Sequence, residues 1–133
     1  MDLGGQSRPL RVLLVEDDPD NADSWALLLR LWGHTVQTAQ DGLTALQAAQ
    51  TAPPEVVFLD IGLPRMDGYA VAKQLRQVLS TKPLLIALSG YCQESDQQRS
   101  LNEGFDHFFA KPAKPLQVKR LLEAFAAGAD AQR

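Results

Sequence analysis

Val-Leu-Leu-Val-Glu-Asp-Asp, residues 12–18, is four branched apolar side chains running straight into three carboxylates. A strand with one wet face alternates apolar and polar residues. An unbroken apolar run suits a strand buried on both faces, as in a parallel sheet covered by helices. Similar runs recur, five in all, at residues 11–15, 35–38, 55–59, 84–88 and 107–110. Between them the pattern changes to the helical period. Trp25, Leu28, Leu29 and Trp32 stand at i, i+3, i+4, i+7, as do Val118, Leu121, Leu122 and Phe125, while Val71, Leu75 and Val78 share a face. Trp25 and Trp32 are therefore expected in the core. Asp41, Asp67 and Glu94 precede or open helical stretches, where a carboxylate satisfies unpaired amides. Gly33 and Gly104 follow helices, where a residue free to adopt positive φ is useful. The alternation of strand and helix, five times over, predicts an α/β fold with a parallel sheet and right-handed crossovers.

The chain of 133 residues is one domain's worth. Residues 10–127 read as one compact unit. Residues 1–9 and 128–133, short and rich in small or polar side chains, read as tails. Hydrophobic residues make up 45% and charged residues 22%, which excludes a disordered chain or a collagen-like repeat. The net charge is -3, from 13 basic and 16 acidic residues, so no basic excess favours nucleic acid. The longest apolar runs, such as 56–59 and 84–88, fall far short of the ~20 residues needed to span a bilayer. Residues 1–9 hold no apolar stretch, so no signal peptide is expected. Cys92 is the single cysteine and forms no internal disulfide, which points to a reducing cytoplasm. His34 and His107 lack metal-ligand spacing. The helical stretch 94–103 has one large apolar residue, Leu101, and is expected to be the least firmly packed element.

In a parallel sheet every strand ends on the same edge, and open α/β proteins bind ligands there. Val15 ends the first strand and is followed by Glu16, Asp17 and Asp18. Leu59 is followed by Asp60, Leu88 by Ser89 and Gly90, and Ala110 by Lys111 and Pro112. One edge thus gathers carboxylates, a hydroxyl and an ammonium. Crowded carboxylates repel and need a cation, and oxygen-only donors favour a hard one, Mg²⁺. A carboxylate left over can act as a nucleophile and accept a phosphoryl group as an aspartyl phosphate. Phosphoryl transfer asks mainly for positioning and neutralised oxygens, which Mg²⁺, Lys111 and Ser89 supply from three directions.

Four stretches carry a resemblance: Val-Leu-Leu-Val-Glu-Asp-Asp at 12–18, Leu-Asp-Ile-Gly-Leu-Pro-Arg-Met-Asp-Gly-Tyr at 59–69, Ala-Leu-Ser-Gly at 87–90 and Phe-Phe-Ala-Lys-Pro at 108–112. Over residues 10–125 the chain resembles a response-regulator receiver domain, the phosphoacceptor module of two-component signalling. The resemblance implies a flavodoxin-like (βα)5 three-layer sandwich with a parallel five-stranded sheet of order 2-1-3-4-5. It puts Asp60 on the phosphorylated aspartate, Asp17 on the direct Mg²⁺ ligand and Glu16 on its acidic neighbour acting through water. Gly62 falls on the residue whose carbonyl completes the metal site. Ser89 falls on the switch hydroxyl, Lys111 on the lysine that pairs with the phosphoryl group, and Phe108 on the switch aromatic. The bond between Lys111 and Pro112 would be cis. Glu16 stands where many members have aspartate, and Gly62 where others carry a larger side chain. Gly62 and Tyr91 would flank the path of the hydrolytic water. The wording around residues 62–64, 87–91 and 104–106 is similar to receivers attached to hybrid sensor kinases.

The resemblance implies a cytoplasmic phosphorelay switch. A phosphohistidine on a sensor histidine kinase or a histidine phosphotransfer protein would pass its phosphoryl group to Asp60. The output surface for an unknown downstream protein would then change. The only catalysis would be self-phosphorylation and autodephosphorylation, with no effector domain, nucleic-acid contact or membrane contact. A phosphatase of the haloacid dehalogenase type also uses a nucleophilic aspartate and Mg²⁺. It needs Asp-x-Asp after its first strand, whereas here the acids are contiguous and Asp60-Ile61-Gly62 lacks the second aspartate. A flavin phosphate would be repelled by the acidic edge. The remaining alternative is an interaction module with a receiver fold that works without phosphorylation.

Overall fold

Every residue of strands β3, Val56–Asp60, and β4, Leu84–Ser89, is buried. The computed structural model describes residues 8–62, 67–90 and 94–128. The other elements are β1 Arg11–Val15, α1 Pro19–Leu31, β2 Thr35–Ala39, α2 Gly42–Thr51, α3 Gly68–Val78, α4 Glu94–Asn102, β5 His107–Ala110 and α5 Pro115–Ala126. The strands pair in parallel in the order β2-β1-β3-β4-β5, the flavodoxin-like arrangement expected from the sequence.

Unbroken apolar strands make sense once their two faces are followed. Successive side chains point to opposite sides of a sheet. Leu13, Val57, Leu59 and Leu85 pack with Ala45 and Ala49 of α2 and Val71 and Leu75 of α3. Val12, Leu14, Phe58 and Ile86 pack with Ala26 and Leu29 of α1 and Val118 and Leu122 of α5. The sheet therefore separates two cores, and each fully buried Leu, Ile or Val contributes about 1.5–3 kcal/mol.

Local chemistry sets the helix ends. Asp41 accepts the Thr44 N–H at 2.8 Å to cap α2, and Asp67 accepts the Tyr69 N–H at 3.0 Å to cap α3. Gly33 and Gly104 take φ of +98° and +99° after α1 and α4. The Lys111–Pro112 bond is cis.

Some side chains depart from the sequence pattern. Trp25 and Trp32 are half-buried at the margin of a core, while Ala22, Ala26 and Leu29 are the buried residues of α1. Small residues let the helix approach the sheet, and the indoles are left to cover its flank. Val78 is 43% exposed because α3 ends there; Leu79, already in extended conformation, turns inward instead. Among the described side chains of α4 the fully buried one is Ser100, with Leu101 half exposed. β2, β3 and β4 each run one residue further than the apolar pattern, so Ala39, Asp60 and Ser89 are the last residues of their strands, and β3 begins at Val56 rather than residue 55. Residues 1–7 and 129–133 of the expected tails, residues 63–66, Tyr91 and Cys92 lie outside the described residues. Among the described residues no helix is long and apolar enough to cross a membrane.

Candidate functional site

Glu16 follows β1, Asp60 and Ser89 close β3 and β4, and Lys111 follows β5. Parallel pairing holds these ends level. Asp60 pairs with Leu88 and Ser89 with Ala110, and the ladder runs on through Ile61 N–H to Leu88 O at 2.9 Å and Lys111 N–H to Ser89 O at 2.7 Å. The Glu16 N–H donates to Ala39 O at 2.9 Å, anchoring the acidic turn to β2.

Glu16, Asp60 and Ser89 are buried, whereas Asp17 is exposed. Glu16, Asp17 and Asp60 each bring a carboxylate oxygen within 4.8 Å of the others. Three convergent oxygen donors, two of them withdrawn from water, suit a hard cation. Asp17 opens the cluster to solvent and gives an ion a way in.

Lys111 supplies the balancing charge. Its Nζ donates to Glu16 Oε1 at 2.8 Å and to Asp60 Oδ2. Burial alone would lower its pKa, but the bonds to Asp60 and Glu16 more than offset that and raise it above the ordinary 10.5. The ammonium is therefore held charged. The other Asp60 oxygen, Oδ1, accepts the Gly62 N–H at 2.8 Å. Both carboxylate oxygens are thus oriented by donors, which fixes the side chain at the mouth of the site.

Of the residues singled out in the sequence, Glu16, Asp17, Asp60, Gly62 and Lys111 meet directly, and Ser89 lies at the adjoining strand end. Phe108 pairs with Ala87, is half-buried and packs on the core shared by α2 and α3. The sequence pattern did not reveal that Trp25 also walls a cleft of about 290 Å³ beside the cluster, with Glu16, Asn21, Lys111, Pro112 and Ala113. Its place in an apolar stripe signalled burial only.

Residues 12–125 match the family model described as the response regulator receiver domain. A 14.6 kDa protein from the sodA1 3′ region of Leptolyngbya boryana is 32% identical over 115 residues, covering 86% of this chain and 88% of that one. The alkaline phosphatase synthesis transcriptional regulatory protein PhoP of Bacillus subtilis is 35% identical over 114 residues, covering 86% of this chain and 47% of PhoP. The chain thus spans about half the length of that regulator. Among solved structures, the response regulator receiver domain (CheY-like) from Methylobacillus flagellatus superposes with a TM-score of 0.79 at 29% identity, covering 88% of this chain and 98% of that one.

Proposed function

Because the chain belongs to the response-regulator receiver family, we propose that it is a phosphorylation-driven signalling switch whose acceptor is Asp60. The observation that carries this reading is the placement of Asp60. It is a buried carboxylate oriented by Gly62 and Lys111, with Glu16 and Asp17 converging on it.

A phosphohistidine on a sensor histidine kinase or histidine phosphotransfer protein docks over the strand-end edge, against α1. A carboxylate oxygen of Asp60 attacks phosphorus, the P–N bond breaks, and its electron pair returns to the imidazole nitrogen. Glu16, Asp17 and Asp60 with the Gly62 carbonyl would hold Mg²⁺, which when bound neutralises charge on the phosphoryl oxygens. Lys111 pairs with the new group, and the Ser89 hydroxyl donates a hydrogen bond to it. Phe108 then packs inward, and a pre-existing equilibrium shifts toward an active surface of α4, β5 and α5 that a downstream protein reads. Water later cleaves the acyl phosphate. These self-catalysed steps are the only chemistry, so the protein is a switch and not a metabolic enzyme. It acts in the cytoplasm through protein partners, without nucleic acid or membrane.

The test is to incubate the protein with Mg²⁺ and acetyl phosphate and weigh it intact beside Asp60→Ala. A gain of one phosphoryl group that requires Mg²⁺ and disappears in the variant is expected. No gain in the wild type, together with no binding of beryllofluoride, would favour a module that signals by binding alone.

A further inference from the structure

Helix α4 is poorly supplied with apolar side chains. Among its described side chains the fully buried one is Ser100, and Leu101 is half exposed. Something other than apolar burial must hold it. Tyr69, in the first turn of α3, meets it from the side. The Tyr69 hydroxyl and Ser100 Oγ are 3.3 Å apart, and the Arg99 guanidinium carbon lies 4.0 Å from the centre of the Tyr69 ring. Phe105, just past α4, stands edge-on to the same ring with centroids 6.0 Å apart. The helix is thus gripped by a hydrogen bond and a cation–π contact from one half-buried side chain.

The other side of Tyr69 leads back to the acceptor. Its neighbour Gly68 packs so closely on Ile61 that a Cβ there would come within 2.8 Å of the Ile61 Cα. Ile61 follows Asp60 in sequence, and its N–H is tied to Leu88 O at 2.9 Å. Packed backbone therefore connects Asp60, through Ile61 and Gly68, to Tyr69 and α4. This route does not pass through Ser89 or Phe108. We infer that Tyr69 is a latch: a positioning residue that fixes α4 against α3 and relays the state of Asp60 to it. The holding role stands on geometry alone, and the relay rests on the switch reading above.

The test is amide hydrogen exchange over residues 94–102 in the full chain, comparing wild type, Tyr69→Phe and Tyr69→Leu. Tyr69→Phe removes only the hydroxyl and should speed α4 exchange by about two- to tenfold in the unloaded protein, and Tyr69→Leu by more. Exchange in β1 and β3 should be unchanged. Loading wild type with beryllofluoride and Mg²⁺ should change α4 exchange, and that response should shrink in Tyr69→Leu while intact mass still shows phosphoryl uptake from acetyl phosphate. Unchanged α4 exchange in both variants, or acceleration spread over the whole sheet, would overturn the latch. A full α4 response to loading in Tyr69→Leu would overturn the relay. Absence of phosphoryl uptake by wild type would count against the switch reading, yet the unloaded comparison would still decide the latch.

Discussion

Lys111 Nζ stands 2.8 Å from Glu16 Oε1 and also donates to Asp60 Oδ2, so one half-buried ammonium serves two buried carboxylates. Glu16 and Lys111 are 95 residues apart in sequence, and only the level ends of β1 and β5 bring them together. Breaking such a pair leaves buried negative charge without a partner. Lys111→Met should therefore lower stability by about 1–3 kcal/mol, less than for a fully buried pair because the lysine is partly exposed. A divalent cation can take over part of the lost role. Urea denaturation with and without Mg²⁺ should show a larger Mg²⁺-induced rise in midpoint for the variant than for the wild type. Equal rises would mean that Lys111 does not compensate the acidic cluster.

Gly62 stands over the acceptor with no side chain. A Cβ built there lies 3.4 Å from Asp60 Oδ1, an ordinary contact distance, and its φ is not in the left-handed region. A larger residue is accommodated at its Cβ and then projects beside Asp60. Gly62→Met should slow loss of the phosphoryl group by roughly three- to tenfold, by obstructing water at the acyl phosphate. The decay of phosphorylated protein, followed by intact mass after the donor is removed, measures this. An unchanged rate discards water obstruction at this position.

The strands, and their ends to within one residue, were legible because period-two burial on both faces demands unbroken apolar runs, and β1 shows one from Val12 to Val15. The acidic edge followed, since parallel strands must end together. What resisted reading was side-chain size and long-range pairing. Trp25 and Leu29 share the same stripe on α1, yet the leucine fills the core while the indole covers a cleft. Helical period places Val78 with Val71 and Leu75, but α3 stops there and Leu79 takes the inward place. Ser100 looks like a solvated helix residue until Tyr69 arrives from α3, 31 positions away. The receiver motifs led to Asp60 and Lys111, but the second bond from Lys111 to Glu16 needed the fold.

His34 makes stability depend on pH. It is buried, and its Nδ1 accepts the Leu10 N–H at 3.0 Å, which requires that nitrogen unprotonated. Burial lowers its pKa below 6.5 and outweighs the opposing attraction of Glu55. Between that lowered value and 6.5 the unfolded chain binds a proton that the folded one refuses. The contribution is fully present above 6.5 and is lost as pH falls toward the folded pKa. The thermal midpoint should therefore fall as pH drops below about 6.5, and His34→Gln should flatten that part of the profile. Parallel profiles for the two proteins would assign the slope to other groups.

Gly104 and Gly33 share a left-handed backbone but not a neighbourhood. Their φ values are +99° and +98°. At Gly33 an added Cβ meets nothing within 4 Å; at Gly104 it falls 2.7 Å from Arg76 Nη1, whose guanidinium donates through Nη2 to the Gly104 carbonyl. Alanine at 33 suffers backbone strain alone, about 1 kcal/mol. Alanine at 104 also pushes aside the tip of the flexible, exposed Arg76 and loses its hydrogen bond, for about 1.5–2 kcal/mol in total. Gly104→Ala should therefore lower the urea midpoint more than Gly33→Ala. In an Arg76→Ala background, the added cost at 104 should fall to that seen at 33. Equal costs at both positions in the wild-type background would show that the Arg76 contact contributes nothing to holding the turn after α4.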